Sequence, residues 1–243
     1  MNVTELYKYF DGAIPCELSE DWDNDGRMLV SSDKEIRNVL VALDVTPEVA
    51  EVAVKGGYDL IVTHHPLIFK PLRGIVDPML VSLIQAEVSV FSFHTRLDTV
   101  DGGVNDCLAA ALGLKNAEPF CEMGRVGDID EIKFDEFVTK VKKTLGCERV
   151  NFVMGKDTVR RVALLGGGGK DFWADAAVVA DVYITGEMSY NTMLDAHKAG
   201  FSVIEAGHFH TEFPVCERIC DMLLDADSSL NVDIMKFYPV NTL

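Results

Sequence analysis

The sequence predicts an α/β protein built from two similar α/β units with mainly parallel sheets. Short apolar runs alternate with helical segments along the chain, which is the pattern of strands joined by crossover helices. Both halves repeat one order of elements: strand, helix, strand, helix, strand. The repeat indicates a duplication in which the two units present strand ends to each other across a crevice. We place the units at residues 1–124 and 125–243, with the last strand a candidate to return to an edge of the first sheet.

The elements of the first unit are predicted from the spacing of apolar residues and from the residues that begin and end helices. Thr46-Pro47 predicts a capping residue followed by the first residue of a helix, and Gly56-Gly57 predicts where that helix ends. The run from Tyr58 into His64 and His65 is interpreted as a buried parallel strand. The remaining predicted elements are helices at 3–10, 48–55, 78–86 and 104–112, and strands at 28–30, 37–45 and 88–93.

The second unit is predicted to begin with a strongly amphipathic helix at 134–145 that ends at Gly146. Residues 166–169 join a strand to a helix and are all glycine. They lack the spacing of a dinucleotide loop and the lysine of a phosphate loop, so we interpret them as a tight turn. The other predicted elements are strands at 149–154, 161–165, 181–187, 201–206 and 232–238, and helices at 171–179, 190–199 and 214–224.

Composition excludes several classes of protein. The chain has 243 residues, 48% of them hydrophobic, which is enough for a large core and argues against disorder. No apolar run approaches the ~20 residues of a membrane span, and the start carries no export signal, so we expect a soluble cytoplasmic protein without a membrane partner. Six scattered cysteines suit a reducing compartment. A formal charge of −17 makes a nucleic-acid partner improbable and means that any bound nucleotide needs a local cation.

His64 and His65 are the first candidate functional residues. Parallel strands deliver functional side chains just past their carboxyl ends, where these histidines lie. Adjacent residues of an extended chain point to opposite faces, so the pair suits one imidazole on each of two neighbouring ions. On the pair alone, a strand end with one imidazole bonded to backbone and the other in water is the simpler interpretation.

Further histidines and carboxylates follow other strand ends. The third strand of each half ends in a histidine followed four residues later by an acid, His94 to Asp98 and His208 to Glu212. Imidazoles mixed with carboxylates suit zinc, manganese or iron(II). These side chains are too few to fill the coordination spheres of two ions, and the positions left open for water indicate a catalytic site. Two such ions would activate water, so the expected class is hydrolysis. The predicted crevice is lined by His64, His65, His94, Asp98, Glu187, His208, His210 and Glu212.

Several motifs across almost the whole chain resemble one known family. They are Trp22-Asp23-Asn24, residues 42–46, residues 61–69, His94 to Asp98 with residues 102–106, residues 124–127, residues 184–187, and residues 207–212. The chain resembles the YbgI-like, Nif3-like proteins with a dinuclear metal centre, the GTP cyclohydrolase I type 2 homologues.

The resemblance implies specific properties. His64, His65, Asp98, His208 and Glu212 would hold two divalent metal ions per subunit (zinc, iron or manganese), and six subunits would form a hollow ring. A cyclohydrolase would attack the imidazole ring of a nucleobase with water and release formate, which makes GTP the leading small-molecule substrate. A non-catalytic metal-binding hexameric scaffold or regulatory protein is the alternative.

Four residues are assigned to roles beside the metals. Arg96 replaces the family's usual asparagine; on an extended segment it would share a side with His94 and Asp98 and grip an anionic substrate, and a salt bridge with a local acid is the alternative. His210 replaces a small residue and is interpreted as a solvent-exposed group beside the ligands, on the substrate side, with a sixth metal ligand as the alternative. His94 is expected to orient Asp98 or carry a proton rather than to bind metal, and Glu187 to act as a general base or to serve the unit interface. His197 is expected at the surface.

Overall fold

The structure is a computed structural model and describes residues 1–240. The chain forms two compact units, one of Met1–Val100 with Val215–Pro239 and the other of Asp101–Pro214 with residue 240. These bounds differ from the predicted division after residue 124, because the chain leaves the first unit after Val100 and re-enters it at Val215. The predicted second unit also included residues 241–243, which lie outside the described residues. Within residues 1–240, no helix is both long enough and apolar enough to cross a membrane.

The helices and strands are short and alternate along the chain. The helices are α1 (Val3–Ala13), α2 (Pro47–Gly56), α3 (Pro78–Gln85), α4 (Thr95–Thr99), α5 (Val104–Leu112), α6 (Phe134–Leu145), α7 (Trp173–Val179), α8 (Tyr190–Lys198), α9 (His208–Glu212) and α10 (Val215–Ala226). The strands are β1 (Gly26–Leu29), β2 (Asn38–Ala42), β3 (Leu60–Thr63), β4 (Ser89–Ser92), β5 (Lys115–Phe120), β6 (Gly124–Lys133), β7 (Asn151–Val153), β8 (Thr158–Leu165), β9 (Val182–Thr185), β10 (Ser202–Glu205) and β11 (Asn231–Ile234). Short 3-10 turns lie at Cys16–Leu18 and Lys170–Phe172.

The first unit is built on a five-stranded sheet in the order β1-β4-β3-β2-β11. β11, β2, β3 and β4 run parallel, and only the edge strand β1 is antiparallel. Helices α2 and α3 cover one face, where Val49 and Leu83 pack with Leu40 and Ile61 in a hydrophobic core. The cap of α2 is as predicted: Thr46 accepts a hydrogen bond from Val49 N–H, and Gly57 ends the helix in the left-handed conformation.

β3 is central in this sheet, which explains its composition. β2 and β4 pair with it on either side, and all its residues from Leu60 to Thr63 are buried. A strand covered on both faces needs apolar residues at every position, not at alternate ones. His64 and His65 follow β3 directly, so the sheet fixes where these side chains begin.

The second unit contains a six-stranded mixed sheet in the order β5-β6-β8-β9-β10-β7. Its centre, β8-β9-β10, is parallel, and the other pairings are antiparallel. Side chains alternate along β8, so that Val162 and Leu164 join the core under α5 and α6 while Ala163 and Leu165 join the core under α7 and α8.

The α/β class and the repeated element order are confirmed. β2-α2-β3-α3-β4-α4 in the first unit has its counterpart in β8-α7-β9-α8-β10-α9 in the second. The assumption that the segment from His94 to Asp98 is extended is wrong, because Thr95–Thr99 forms one helical turn, α4, with His94 as its N-cap. His208–Glu212 is also one helical turn, α9, where a spacing of four residues places His208 and Glu212 on one face.

Candidate metal centre

His64 is completely buried and is held by the backbone of the neighbouring strand end. Its Nδ1 lies 2.9 Å from the carbonyl oxygen of Phe93. A carbonyl oxygen can only accept a hydrogen bond, so Nδ1 carries the proton and Nε2 presents a lone pair. Nε2 lies 3.7 Å from Asp98 Oδ1. A buried imidazole in this tautomer is prepared to bind a metal ion through Nε2.

His65 is oriented by a carboxylate. Its Nδ1 lies 2.7 Å from Asp44 Oδ1, and its backbone N–H donates to the Leu43 carbonyl. An ionised carboxylate also only accepts, so Nε2 is again the nitrogen with the lone pair. A carboxylate behind a histidine is the arrangement that commonly supports a metal ligand.

His94 completes a cluster of three imidazoles in the first unit. Its Nδ1 lies 2.9 Å from Asp23 Oδ1, and its ring centre lies 5.3 Å from that of His64 and 5.8 Å from that of His65. One ring nitrogen from each of the three histidines lies within 4.8 Å of the others, a spacing at which they could hold a metal ion. The prediction that His94 orients Asp98 is not what the hydrogen bonds show, because its partner is Asp23.

Asp23 anchors this part of the site. Besides His94, it accepts hydrogen bonds from the Thr95 backbone N–H at 3.0 Å and from the Thr95 hydroxyl at 2.7 Å. Burial would raise the pKa of Asp23, but the hydrogen bonds from His94 and Thr95 outweigh it, and the pKa lies below its ordinary value. Asp23 is therefore an anion that fixes both the imidazole and the start of α4.

The second unit carries a matching pair on α9. His208 Nε2 lies 3.0 Å from Glu212 Oε2, and His208 Nδ1 lies 3.0 Å from Glu187 Oε1. Glu187, predicted as a general base, therefore lies behind His208 as Asp44 lies behind His65. Glu212 is buried, whereas Glu187 is exposed.

The glycine turn at 166–169 makes room for Glu212. A Cβ on Gly167 would clash with Glu212 Oε1, and the φ of +64° at this residue also favours glycine. The Gly167 N–H donates to Thr211 Oγ1, on the same helix as Glu212. The turn thus supports α9, in agreement with the interpretation as a tight turn.

Arg96 does not point toward Asp98. Two residues along a helix correspond to a rotation of about 200°, so Arg96 and Asp98 lie on opposite sides of α4. The guanidinium is buried against Phe93, with Nη1 2.9 Å from Asp11 Oδ1 and Nη2 3.1 Å from Asp25 Oδ1. The salt-bridge alternative describes this residue, and the substrate-binding assignment rested on the extended segment that the structure replaces with a helix.

His210 is buried, which corrects its interpretation as a solvent-exposed group. Its Nδ1 lies 3.3 Å from the Leu145 carbonyl oxygen. On α9 it is two residues from both His208 and Glu212, so it lies on the side of the helix away from them. His197 is exposed on α8, as expected.

Asp23 and Asp44 are the functional residues that sequence reasoning missed. Asp44 follows the apolar run of β2 at the position that His65 occupies after β3. Asp23 lies in the Trp22-Asp23-Asn24 motif, but its partner His94 is 71 residues away. Considering every acid that follows a predicted strand would have identified Asp44. The contact between Asp23 and His94 is visible only in the folded structure.

Fold and side chains define an α/β protein with clustered histidines and carboxylates that could hold a metal ion. A family model described as Duf34/NIF3 (NGG1p interacting factor 3) matches residues 1–241. The chain belongs to this family.

Named relatives and solved structures agree with that assignment. The chain is 31% identical to a GTP cyclohydrolase 1 type 2 homolog of Clostridium perfringens, over 93% of this chain and 94% of the relative. It is 33% identical to the GTP cyclohydrolase 1 type 2 of Helicobacter pylori, over 86% of each chain. Reduced HcgD from Methanocaldococcus jannaschii superposes with a TM-score of 0.84 at 29% identity, covering 98% of each chain. A hypothetical protein of Staphylococcus aureus superposes with a TM-score of 0.93 at 25% identity, covering 100% of this chain and 99% of the other.

Proposed function

We propose that this protein is a dinuclear metal-dependent hydrolase that acts on a small nucleotide-like or phosphorylated substrate. The observation that carries the proposal is the common orientation of the histidines: His64, His65, His94 and His208 each have Nδ1 bonded to a carbonyl or carboxylate oxygen. In His64 and His65 this arrangement leaves the Nε2 lone pair as the ligand atom, and His208 Nε2 lies 3.0 Å from Glu212 Oε2, the other proposed ligand on α9. A carbonyl or carboxylate oxygen behind Nδ1 is the support that metal-binding histidines commonly have.

The proposed metal ligands are His64, His65 and Asp98 from the first unit and His208 and Glu212 from the second. Imidazole and carboxylate without thiolate fit zinc, iron(II) or manganese. Bound divalent ions would supply an activated water and would offset the negative charge that develops on a substrate oxygen. Five protein ligands leave positions open on two ions, as hydrolysis requires.

The remaining polar residues of the site have roles that follow from their contacts. Asp23 holds the His94 ring in one orientation, and His94 is proposed to carry a proton between water and a leaving group. Asp44 and Glu187 hold His65 and His208 in one orientation. GTP is the leading candidate substrate, by the names of the relatives.

We further propose that the protein assembles as a homohexamer. Large apolar side chains are exposed on both units, including Val76, Val178 and Tyr190, and burial between subunits would remove them from water.

A metal-loaded activity screen over nucleotides, phosphodiesters and amides tests the hydrolase proposal. The wild type is compared with Asp98→Asn, which removes a proposed ligand, and with Asp101→Asn, a matched change at a fully exposed acid three residues further on. We expect hydrolysis in the wild type and in Asp101→Asn but not in Asp98→Asn. Activity that survives in Asp98→Asn contradicts the site, and metal binding without hydrolysis of any substrate favours a non-catalytic metal-binding scaffold.

A further inference from the structure

Two exposed aromatic side chains stand beside His94 in the first unit. Trp22 is 61% exposed and Phe69 is 46% exposed. Their ring centres lie 6.1 Å apart, and each lies close to the His94 ring, at 6.2 Å and 6.3 Å respectively. Neither ring is part of the hydrophobic core, so packing does not explain why both are here.

The two rings are held in place by neighbouring residues. Asp23, whose side chain is buried, fixes the backbone next to Trp22 through its bonds to His94 and Thr95. Asn24 donates a hydrogen bond from its side-chain amide to the Ile68 carbonyl, one residue before Phe69. The passage at residues 22–24 and the loop after β3 are thereby tied together. Rings held apart from the core in this way form a surface that is preorganised to stack on a ligand.

The loop after β3 also carries positive charge in a strongly acidic protein. Residues 66–77 contain Lys70 and Arg73, both exposed, and one acid. That acid, Asp77, is engaged in capping α3, where it accepts a hydrogen bond from Met79 N–H. Within residues 1–240, neither Lys70 nor Arg73 forms an ion pair, so both remain able to pair with an anion from solution. Lysine and arginine side chains are the usual partners of phosphate groups.

We infer that Trp22 and Phe69 form a binding subsite for a planar heteroaromatic ring such as a purine, with Lys70 and Arg73 pairing with phosphate on the same ligand. This inference deepens the proposed function and rests on it for the identity of the reacting centre. Every nucleobase has a π-face, so aromatic stacking accepts the ring, and the cations select a phosphorylated form. The position of His94 against both rings places the ligand next to the Asp23–His94 pair.

Intrinsic fluorescence of Trp22 provides a direct probe. The chain has two tryptophans, so Trp173→Phe leaves Trp22 as the only reporter. Zinc-loaded Trp173→Phe protein is titrated with GMP, guanosine and ribose 5-phosphate. We expect GMP and guanosine to quench Trp22, GMP more tightly, and ribose 5-phosphate to leave it unchanged.

Substitutions separate the ring contact from the phosphate contact. Phe69→Leu should weaken GMP binding by about tenfold, as loss of one stacking partner does, without changing calorimetric binding of ribose 5-phosphate. Lys70→Gln with Arg73→Gln should weaken GMP and leave guanosine unchanged. Phe152→Leu, which removes an exposed ring from the second unit, serves as the control and should leave GMP binding unchanged.

The outcomes distinguish this inference from the proposed hydrolase. Unchanged GMP binding in Phe69→Leu overturns the subsite. A Phe69→Leu variant that changes only the oligomeric state, as measured by light scattering, also overturns it, because the aromatic pair would then be an interface between copies of the chain. If the protein hydrolyses a substrate without an aromatic ring and does not bind GMP, the subsite is overturned and the proposed hydrolase is supported. Phe69-dependent GMP binding without any hydrolysis supports the subsite while the proposed hydrolase fails.

Discussion

His94 and Asp23 meet at 2.9 Å although 71 residues separate them in the chain. The contact joins the loop before β1 to the end of β4 and places a buried carboxylate behind an imidazole of the candidate site. Asp23 thus links stability to the candidate site, because its Oδ1 orients His94 while its Oδ2 accepts two hydrogen bonds from Thr95, the first residue of α4.

Asp23→Asn should lower both stability and activity. The amide presents a donor group to Thr95 or His94, so at least one buried hydrogen bond is lost, at a cost of about 1–3 kcal/mol near neutral pH. The folded pKa of Asp23 lies below its ordinary value, so its stabilisation is present above the unfolded pKa of about 3.9 and is lost as pH falls. Urea unfolding at pH 7 and pH 3 measures this, with the exposed Asp21→Asn as control. A difference from wild type that is equal at both pH values would contradict the assignment of Asp23 as a stabilising anion.

Metal binding should depend on pH through the histidines. Imidazole binds metal only when neutral, and its ordinary pKa is about 6.5, so we expect the ions to be bound above pH ~6 and released below it. Elemental analysis of dialysed protein over a pH series gives the metal content directly. Metal content that stays constant down to pH ~4 would mean that carboxylates alone hold the ions.

His64→Ala and His65→Ala should each remove about one equivalent of metal. The two imidazoles are held by different partners, the Phe93 carbonyl and Asp44, and each is proposed to serve a different ion. Isothermal titration with zinc measures the stoichiometry, and His197→Ala on the exposed face of α8 is the matched control. A variant that retains both ions excludes its histidine from the ligand set.

Arg96→Met should destabilise the protein without any direct contact with the proposed metals. The change leaves Asp25, whose side chain is also buried, without its cation, and such a loss typically costs about 3–5 kcal/mol. Arg27→Met is the control, because Arg27 is an exposed arginine on β1 that stacks on Tyr7. The shift of the urea midpoint measures both. Equal shifts in the two variants would show that the buried ion cluster contributes nothing specific.

The sequence predicted the elements that have a clear apolar pattern and missed those that have none. The predicted bounds of α5 and α6 match the structure, because their apolar spacing and closing glycines are strong signals. The hairpin of β5 and β6 was missed because β5 is exposed at nearly every position and therefore shows no alternation. α4 and α9 have five residues each, too few to show a helical period, so neither helix was predicted and the segment from His94 to Asp98 was interpreted as extended.

The same distinction holds for the candidate site. Most histidines and acids that follow strands were found, because functional groups lie at the carboxyl ends of parallel strands, but Asp44 after β2 was missed. The role of Arg96 was open because it depends on the conformation of the segment up to Asp98. On a strand, a spacing of two residues places both side chains on one face, whereas on a helix it rotates them about 200° apart. Asp11 and Asp25, which bind its guanidinium, lie 85 and 71 positions earlier in the sequence. No local pattern indicates such partners.

Assembly should persist or strengthen as salt concentration rises. A formal charge of −17 makes the subunits repel one another, so a stable hexamer needs apolar interfaces that outweigh this repulsion. Salt screens charges beyond about 10 Å at 0.1 M, which weakens the repulsion but not the apolar contacts. Light scattering coupled to size exclusion, at low and high salt, gives the mass directly, and the expected mass is six times that of the 26.8 kDa chain. A monomer at micromolar concentration in both conditions would contradict the hexamer, and a hexamer that dissociates at high salt would show that ion pairs rather than apolar surface hold it together.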